Sequence, residues 1–192
     1  IDGMSIAMVG DLKHGRTIHS LCKLLSLFNN IKFRFIAPDN LRAPASLIAL
    51  LKTRGHEVSE CDSLAAGLPH SDVIYATRIQ RERIQGGEEM EGYGEQFRIN
   101  AAAITRHAQP DTVIMHPLPR DSREGAFDLA TDLDRLPQLA IFRQADNGVI
   151  MRMAIFAAIL GVADRLEAHF APLTLYRPAR LSDHDADFYT FD

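Results

Sequence analysis

Short apolar runs alternate with longer stretches of helical spacing along this chain. Ser5–Val9 is brief, apolar and followed by Gly10-Asp11, which predicts a buried strand. Thr17–Phe28 then places Ile18, Leu21, Leu24, Leu25 and Phe28 at helical intervals. Lys32–Ala37 is a second strand stopped by Pro38-Asp39, and Ala45–Thr53 a second helix ended at Gly55, where a left-handed C-terminal residue costs little. His56–Cys61 is a weaker strand and Ser63–Gly67 a short helical turn. Asp72–Thr77 is strongly strand-like, Asn100–Ala108 helical, and Asp111–Met115 the next strand. Leu139–Phe142 is a last apolar run, and Asn147-Gly148 predicts a turn before a long helix over about Val149–Ala168. The apolar residues of that helix (Ile150, Met153, Ile155, Phe156, Ile159, Leu160, Val162) run nearly all the way round it, so it needs partners on more than one side.

Strands alternating with helices at this spacing imply β–α–β units with right-handed crossovers. The expected fold is α/β: a doubly wound, mostly parallel sheet of about five strands with helices on both faces, Rossmann-like in its layering. Two segments fall outside the pattern. Gln85–Gln96 is acidic, Gly-rich and aperiodic, which predicts a mobile loop, and the Pro-containing, acidic stretch from Phe170 to Asp192 a loosely held tail. The expected division is therefore a ligand-binding domain over 1–162 and, over 163–192, the end of the last helix with the tail.

In a doubly wound sheet, ligands bind outside the carboxyl ends of the strands. Those ends are where this chain becomes polar: Gly10–Thr17 after the first strand, Thr77–Arg83 after the fourth, His116–Arg120 after the fifth, and Arg143–Gly148 after the last apolar run. Arginine is a planar, permanently charged fork suited to carboxylate or phosphate. Arg16 lies just before a helix start, where backbone N–H groups also favour negative charge. Arg78 follows the fourth strand, with Gln80 two residues on. Two such arginines on adjacent strand ends suit the two carboxylates of a dicarboxylic acid, while structural ion pairs with Asp11 or Glu82 serve Arg78 equally well. In His116-Pro117-Leu118-Pro119 the prolines remove N–H donors and stiffen the backbone, so carbonyl oxygens are held in a fixed arrangement for an amine or amide donor. A lone histidine before such a turn is more often structural than chemical, and the sequence leaves the X–Pro isomers open.

Composition removes alternatives. With 46% hydrophobic and 24% charged residues in 192, the chain is long enough for a real core and too apolar for general disorder. A formal net charge of −4 and the lack of Trp give no nucleic-acid surface, and the apolar stretches are too short to span a bilayer. Cys22 and Cys61 have neither CxxC nor metal-ligand spacing, which predicts reduced thiols in a cytoplasmic protein and no metal. Gly10–Thr17 is neither a G-x-G-x-x-G fingerprint nor a phosphate loop, and no G-x-S-x-G elbow occurs. A nucleotide-binding oxidoreductase is thereby disfavoured.

Several motifs in a fixed order carry a resemblance. Met8–Leu21 (MVGDLKHGRTIHSL), Phe35-Ile36-Ala37-Pro38, Tyr75–Arg83 (YATRIQRER), Met115–Arg120 (MHPLPR) and Phe142–Gly148 (FRQADNG) together resemble the aspartate-binding domain of aspartate carbamoyltransferases, over about Ser5–Gly161. The resemblance implies transfer of the carbamoyl group of carbamoyl phosphate to the amine of L-aspartate, in pyrimidine biosynthesis, without a cofactor and by positioning and electrostatics. It implies that Arg16, Thr17, Arg78 and Gln80 bind aspartate and that Glu82 orients Arg78. His116, Pro117, Leu118 and Pro119 would meet carbamoyl phosphate and the attacking amine, and the Gln85–Gln96 loop would close over substrate. A homotrimer of the complete enzyme, with or without regulatory chains, is also implied. Ornithine carbamoyltransferases resemble the chain less, since their H-C-L-P carries Cys where Pro117 stands.

Departures accompany the resemblance: the Asp121–Asp128 loop is unusual and the tail beyond Val162 is long. The phosphate-binding motifs of a carbamoyl phosphate domain occur nowhere in the 192 residues, and the chain opens on Ile1 directly before a strand. The expectation is an enzyme half inactive by itself, with its last helix left partly uncovered; the rival expectation is an inactive amino-acid-binding paralogue.

Overall fold

The computed structural model describes residues 1–79, 94–121 and 128–166. The chain divides into two compact units, Ile1–Ile141 and Phe142–Asp192. The first unit holds five strands: β1 (Ser5–Gly10), β2 (Lys32–Ile36), β3 (Glu57–Cys61), β4 (Val73–Thr77) and β5 (Val113–Met115). They form one parallel sheet in the order β3-β2-β1-β4-β5. Chain order runs outward from β1 to β3, then returns to start again at β4. Between them lie α1 (Arg16–Leu25), α2 (Ala45–Thr53), α3 (Leu64–Gly67) and α4 (Ala101–His107). Right-handed crossovers put α1 and α2 on one face and α3 and α4 on the other, in agreement with the contacts of α1 with α2 and of α3 with α4. The doubly wound fold is as expected.

β1 is central and buried along its whole length, and Ile6, Met8, Phe33, Phe35 and Ile74 fill the interior around it. A strand covered on both faces has no reason to alternate polar with apolar residues, which is why SIAMVG reads as one continuous apolar run. The strand at the β3 edge (EVSEC) is only half buried and accordingly polar. α1 buries Ile18, Cys22 and Leu25 at successive turns, whereas Leu24, also on the helical pattern, is 57% exposed. α2 ends as expected at Gly55 (φ 83°), where Gly55 N–H donates to the Lys52 carbonyl and His56 N–H to that of Leu51. α4 starts at Asn100, whose side-chain oxygen accepts Ala103 N–H at 2.8 Å.

Three expectations change. The apolar run at Leu139–Phe142 gives a single bridge of Leu139 to Ile114 rather than a strand, and Phe142 is already helical. Asn147-Gly148 is no turn: α5 (Ile141–Ile159) runs through it unbroken. A glycine inside a helix costs only about 1 kcal/mol, which nineteen helical residues absorb. The long helix also stops earlier than expected. Gly161 (φ 67°) ends it, with Gly161 N–H on the Ala158 carbonyl and Val162 N–H on that of Ala157, before a short α6 (Ala163–Leu166). On α5, Val149, Ile150, Met153, Ile155, Phe156 and Ile159 are exposed. Among the described residues no helix is long and apolar enough to cross a membrane.

Candidate functional site

The strand order reverses between β1 and β4, so their carboxyl ends flank the crevice that this topology opens. Gly10 pairs with Thr77 at that point. Gly10 sits at φ 117°, and any Cβ there would run into the Thr77 carbonyl oxygen. Only glycine lets the two strand ends lie this close.

The loop that follows is built inward. Asp11 is fully buried, and its carboxylate accepts His14 N–H at 2.8 Å and lies 3.1 Å from His14 Nδ1. A Cβ on Gly15 would stand 2.5 Å from the Asp11 carbonyl oxygen, so the loop folds flat on itself before the helix. Leu12 N–H donates to the Leu41 carbonyl, and His19 Nε2 lies 2.8 Å from the Leu12 carbonyl oxygen. These bonds fix the place where α1 begins. Arg16 is the first residue of α1 rather than the one before it; Arg16 and Thr17 are both exposed. The first turn carries no acidic residue and no side-chain cap. Arg16, Thr17 and the helix N–H groups thus present positive potential on one side of the crevice. Arg78, half-buried, follows Thr77 on the other.

β5 lies beside β4 and brings a third loop. His116 is 1% exposed. Its Nδ1 accepts Leu118 N–H at 2.9 Å, and its Nε2 lies 3.7 Å from Asp128 Oδ2. The same Asp128 oxygen accepts Asp121 N–H at 2.8 Å. Burial first, then the positive charges of Arg120 and Arg78, push the His116 pKa down to about 4. The ring is therefore neutral at pH 7, and accepting at Nδ1 puts its proton on Nε2. Burial raises the Asp128 pKa against the pull of its backbone hydrogen bonds. Leu118 has a left-handed backbone (φ 55°), and the Leu118–Pro119 bond is cis. Arg120 leaves the loop to grip Asp134 with both nitrogens, at 2.6 and 3.0 Å.

Of the residues expected in the site, Arg16, Thr17, Arg78 and His116–Pro119 all lie at carboxyl ends of β1, β4 and β5. Gln80, Glu82 and most of the Gln85–Gln96 loop lie outside the described residues. Asp128, Asp134 and the Asp11–His14 pair were not foreseen. Asp128 follows an irregular acidic stretch that gives no periodic signal, and only its closeness to His116 in space marks it. Cys22 is inert, its thiol pushed up to about 12 by burial. Among the described residues no group of three His, Cys, Asp or Glu side chains is arranged to hold a metal ion.

This arrangement of strand ends has known relatives. The family described as aspartate/ornithine carbamoyltransferase, Asp/Orn-binding domain, matches residues 2–159. The chain belongs to this family. The chain is 70% identical over 189 residues to the aspartate carbamoyltransferase catalytic subunit of Dichelobacter nodosus, covering 98% of this chain and 54% of that protein. It is 52% identical to the corresponding subunit of Cellvibrio japonicus, covering 88% of this chain and 50% of the other. The domain therefore spans about half the length of these relatives. Among solved structures, the catalytic subunit of M. jannaschii aspartate transcarbamoylase superposes with a TM-score of 0.73 at 38% identity, over 85% of this chain and 51% of that one. The Trypanosoma cruzi enzyme in complex with aspartate and phosphate gives 0.67 at 38% identity, over 81% and 47%.

Proposed function

We propose that the domain supplies the aspartate site of an aspartate carbamoyltransferase, which transfers the carbamoyl group of carbamoyl phosphate to the amine of L-aspartate. The observation that carries this reading is the meeting of two arginine-bearing loops at the switch point, Arg16 after β1 and Arg78 after β4, over the close Gly10–Thr77 approach. Two guanidinium groups, one at the start of α1 and one just after β4, match a substrate with two carboxylates, and bidentate pairing fixes its orientation as well as its affinity. Pro117, in place of the Cys of ornithine carbamoyltransferases, and the Dichelobacter and Cellvibrio names favour aspartate over ornithine.

In this reading Arg16, Thr17 and Arg78, with Gln80, hold the carboxylates, and Glu82 orients Arg78. The aspartate amine attacks the carbamoyl carbon, the bond from that carbon to the bridging phosphate oxygen breaks, and phosphate leaves with the amine proton. The carbonyls of the Pro117–Leu118 segment direct the amine toward the carbamoyl carbon. No cofactor takes part, and positioning supplies most of the rate. The complete enzyme is a cytoplasmic homotrimer whose carbamoyl phosphate half comes from outside these 192 residues.

The test is a chimera in which this domain replaces the matching half of the Dichelobacter subunit. Carbamoyl aspartate formation by the chimera, and none by the 192-residue chain with both substrates, is the expected result. A chimera that folds but shows no aspartate-dependent turnover would sink the reading.

A further inference from the structure

The loop after β5 contains a buried histidine and a buried acid that the reaction scheme above does not use. His116 sits under the segment proposed to direct the amine, with its Nδ1 accepting Leu118 N–H at 2.9 Å and its Nε2 facing Asp128 at 3.7 Å. Leu118 is the one described residue of this loop in the left-handed region, at φ 55°, where a branched-chain residue is costly to hold without support. Asp128 is 5% exposed and receives Asp121 N–H on the oxygen that faces His116. Its own backbone is tied down too: the Asp128 carbonyl accepts Ile99 N–H, and Ala130 N–H donates to the Ile99 carbonyl. The chain thus leaves β5, turns at Leu118, and returns to a point fixed beneath the same imidazole.

We propose that His116 and Asp128 are a positioning pair: Asp128 orients the His116 ring, and the ring holds Leu118 in its left-handed turn, so that the peptide groups on either side of Leu118 point where the reaction needs them. His116 is then not a substrate contact or a proton carrier. It acts through the Leu118 backbone, and Asp128 acts through His116. The tautomer is part of the device. Only a ring with a bare Nδ1 accepts Leu118 N–H, and a carboxyl group facing Nε2 favours the proton on that side. Among the described residues, Arg78, Arg120 and Asp121 are the other charged groups acting on the pair, and the two arginines help keep the ring from taking a second proton. The Arg120–Asp134 ion pair ties down the residue that follows Pro119.

The inference rests on the proposed role of the Pro117–Leu118 segment, so two readouts are needed. In the 192-residue chain, nitrogen NMR of 15N-histidine should show His116 with an unprotonated, hydrogen-bonded Nδ1 and a protonated Nε2 from about pH 5.5 to 8. A doubly protonated ring, or a proton on Nδ1, in that range overturns the pair whatever the activity. In the Dichelobacter chimera, His116→Leu should lower kcat by about 100-fold while the aspartate KM stays within about threefold, the sign of misplacement rather than lost binding. His116→Asn, which keeps an acceptor near the Nδ1 position, should recover about tenfold of that loss. Asp128→Ala combined with His116→Leu should be no worse than His116→Leu alone, since both act on one turn. An unchanged kcat in folded His116→Leu, or independent additive losses in the double variant, overturns the proposal. An inactive wild-type chimera counts against the proposed function instead, and the NMR result still decides the pair.

Discussion

The ends of β1 and β5, which lie on either side of β4, are built by opposite means. At β1 the charge is outside and the support is backbone: glycines at 10 and 15 allow a flat, tightly bonded loop, and Arg16 and Thr17 project from it into solvent. At β5 the polar groups are inside: His116 and Asp128 are buried, and what reaches the surface is a proline-flanked backbone. Under the proposed function, the difference follows from what each loop would recognise. A carboxylate is met by a cation, which loses little by staying hydrated until substrate arrives. An amine is met by carbonyl dipoles, which have no reach and must be aimed by whatever lies beneath them.

The contrast breaks most sharply at Gly10. Gly10→Ala puts a Cβ against the Thr77 carbonyl at a backbone angle that L-residues avoid, and should cost on the order of 4 kcal/mol in urea unfolding. A loss below about 1 kcal/mol would mean that the strand ends part easily and the crevice is not built on this approach.

Acid should act on the β5 end. His116 titrates near 4 in the folded chain against an ordinary 6.5, so its contribution to stability is complete above about 6.5 and is lost as the pH falls toward 4. Asp128 has the opposite sign: its raised pKa favours the folded state in acid, and that contribution is lost as the pH rises past the ordinary 3.8. The two partly offset one another. The His116→Asn variant keeps only the Asp128 part, so its loss of stability between pH 7 and 4.5 should be smaller than the wild type's by roughly 1–2 kcal/mol. Equal pH dependence of the two urea midpoints would refute burial of a neutral ring.

At the β4 end, Arg78→Ala should raise the aspartate KM of the chimera by about 10–100-fold and leave the unfolding midpoint nearly unchanged. The reverse pattern, stability lost and KM kept, would make Arg78 a structural cation. The smallest effect is expected farther off. Asn100→Ala removes the cap of α4, next to the Ile99 that anchors Asp128, and should cost about 1 kcal/mol without altering kcat.

Much of this was legible in the sequence for one reason: a parallel sheet buried on both faces writes its strands as apolar runs and leaves polarity for their ends. SIAMV, KFRFIA and DVIYAT were readable as strands, and the residues after them as candidate site residues. The Gly55 helix end was equally plain. Legibility failed where a local signal competed with a longer one. Asn147-Gly148 is a strong turn pair in isolation, but α5 carries it through, and Leu139–Phe142 looked like a strand although only Leu139 reaches a partner.

By itself, then, the sequence determined the layering, the identity of the exposed cations and the family motifs, because these depend on periodicity and on residues close in the chain. Tertiary structure decided the rest. It alone makes Gly10 a contact point with Thr77, 67 residues away, since that follows from strand order. It alone brings Asp128 beside His116, because the sequence between them has no period from which that approach could be read. Burial, which no single residue specifies, then set the histidine neutral.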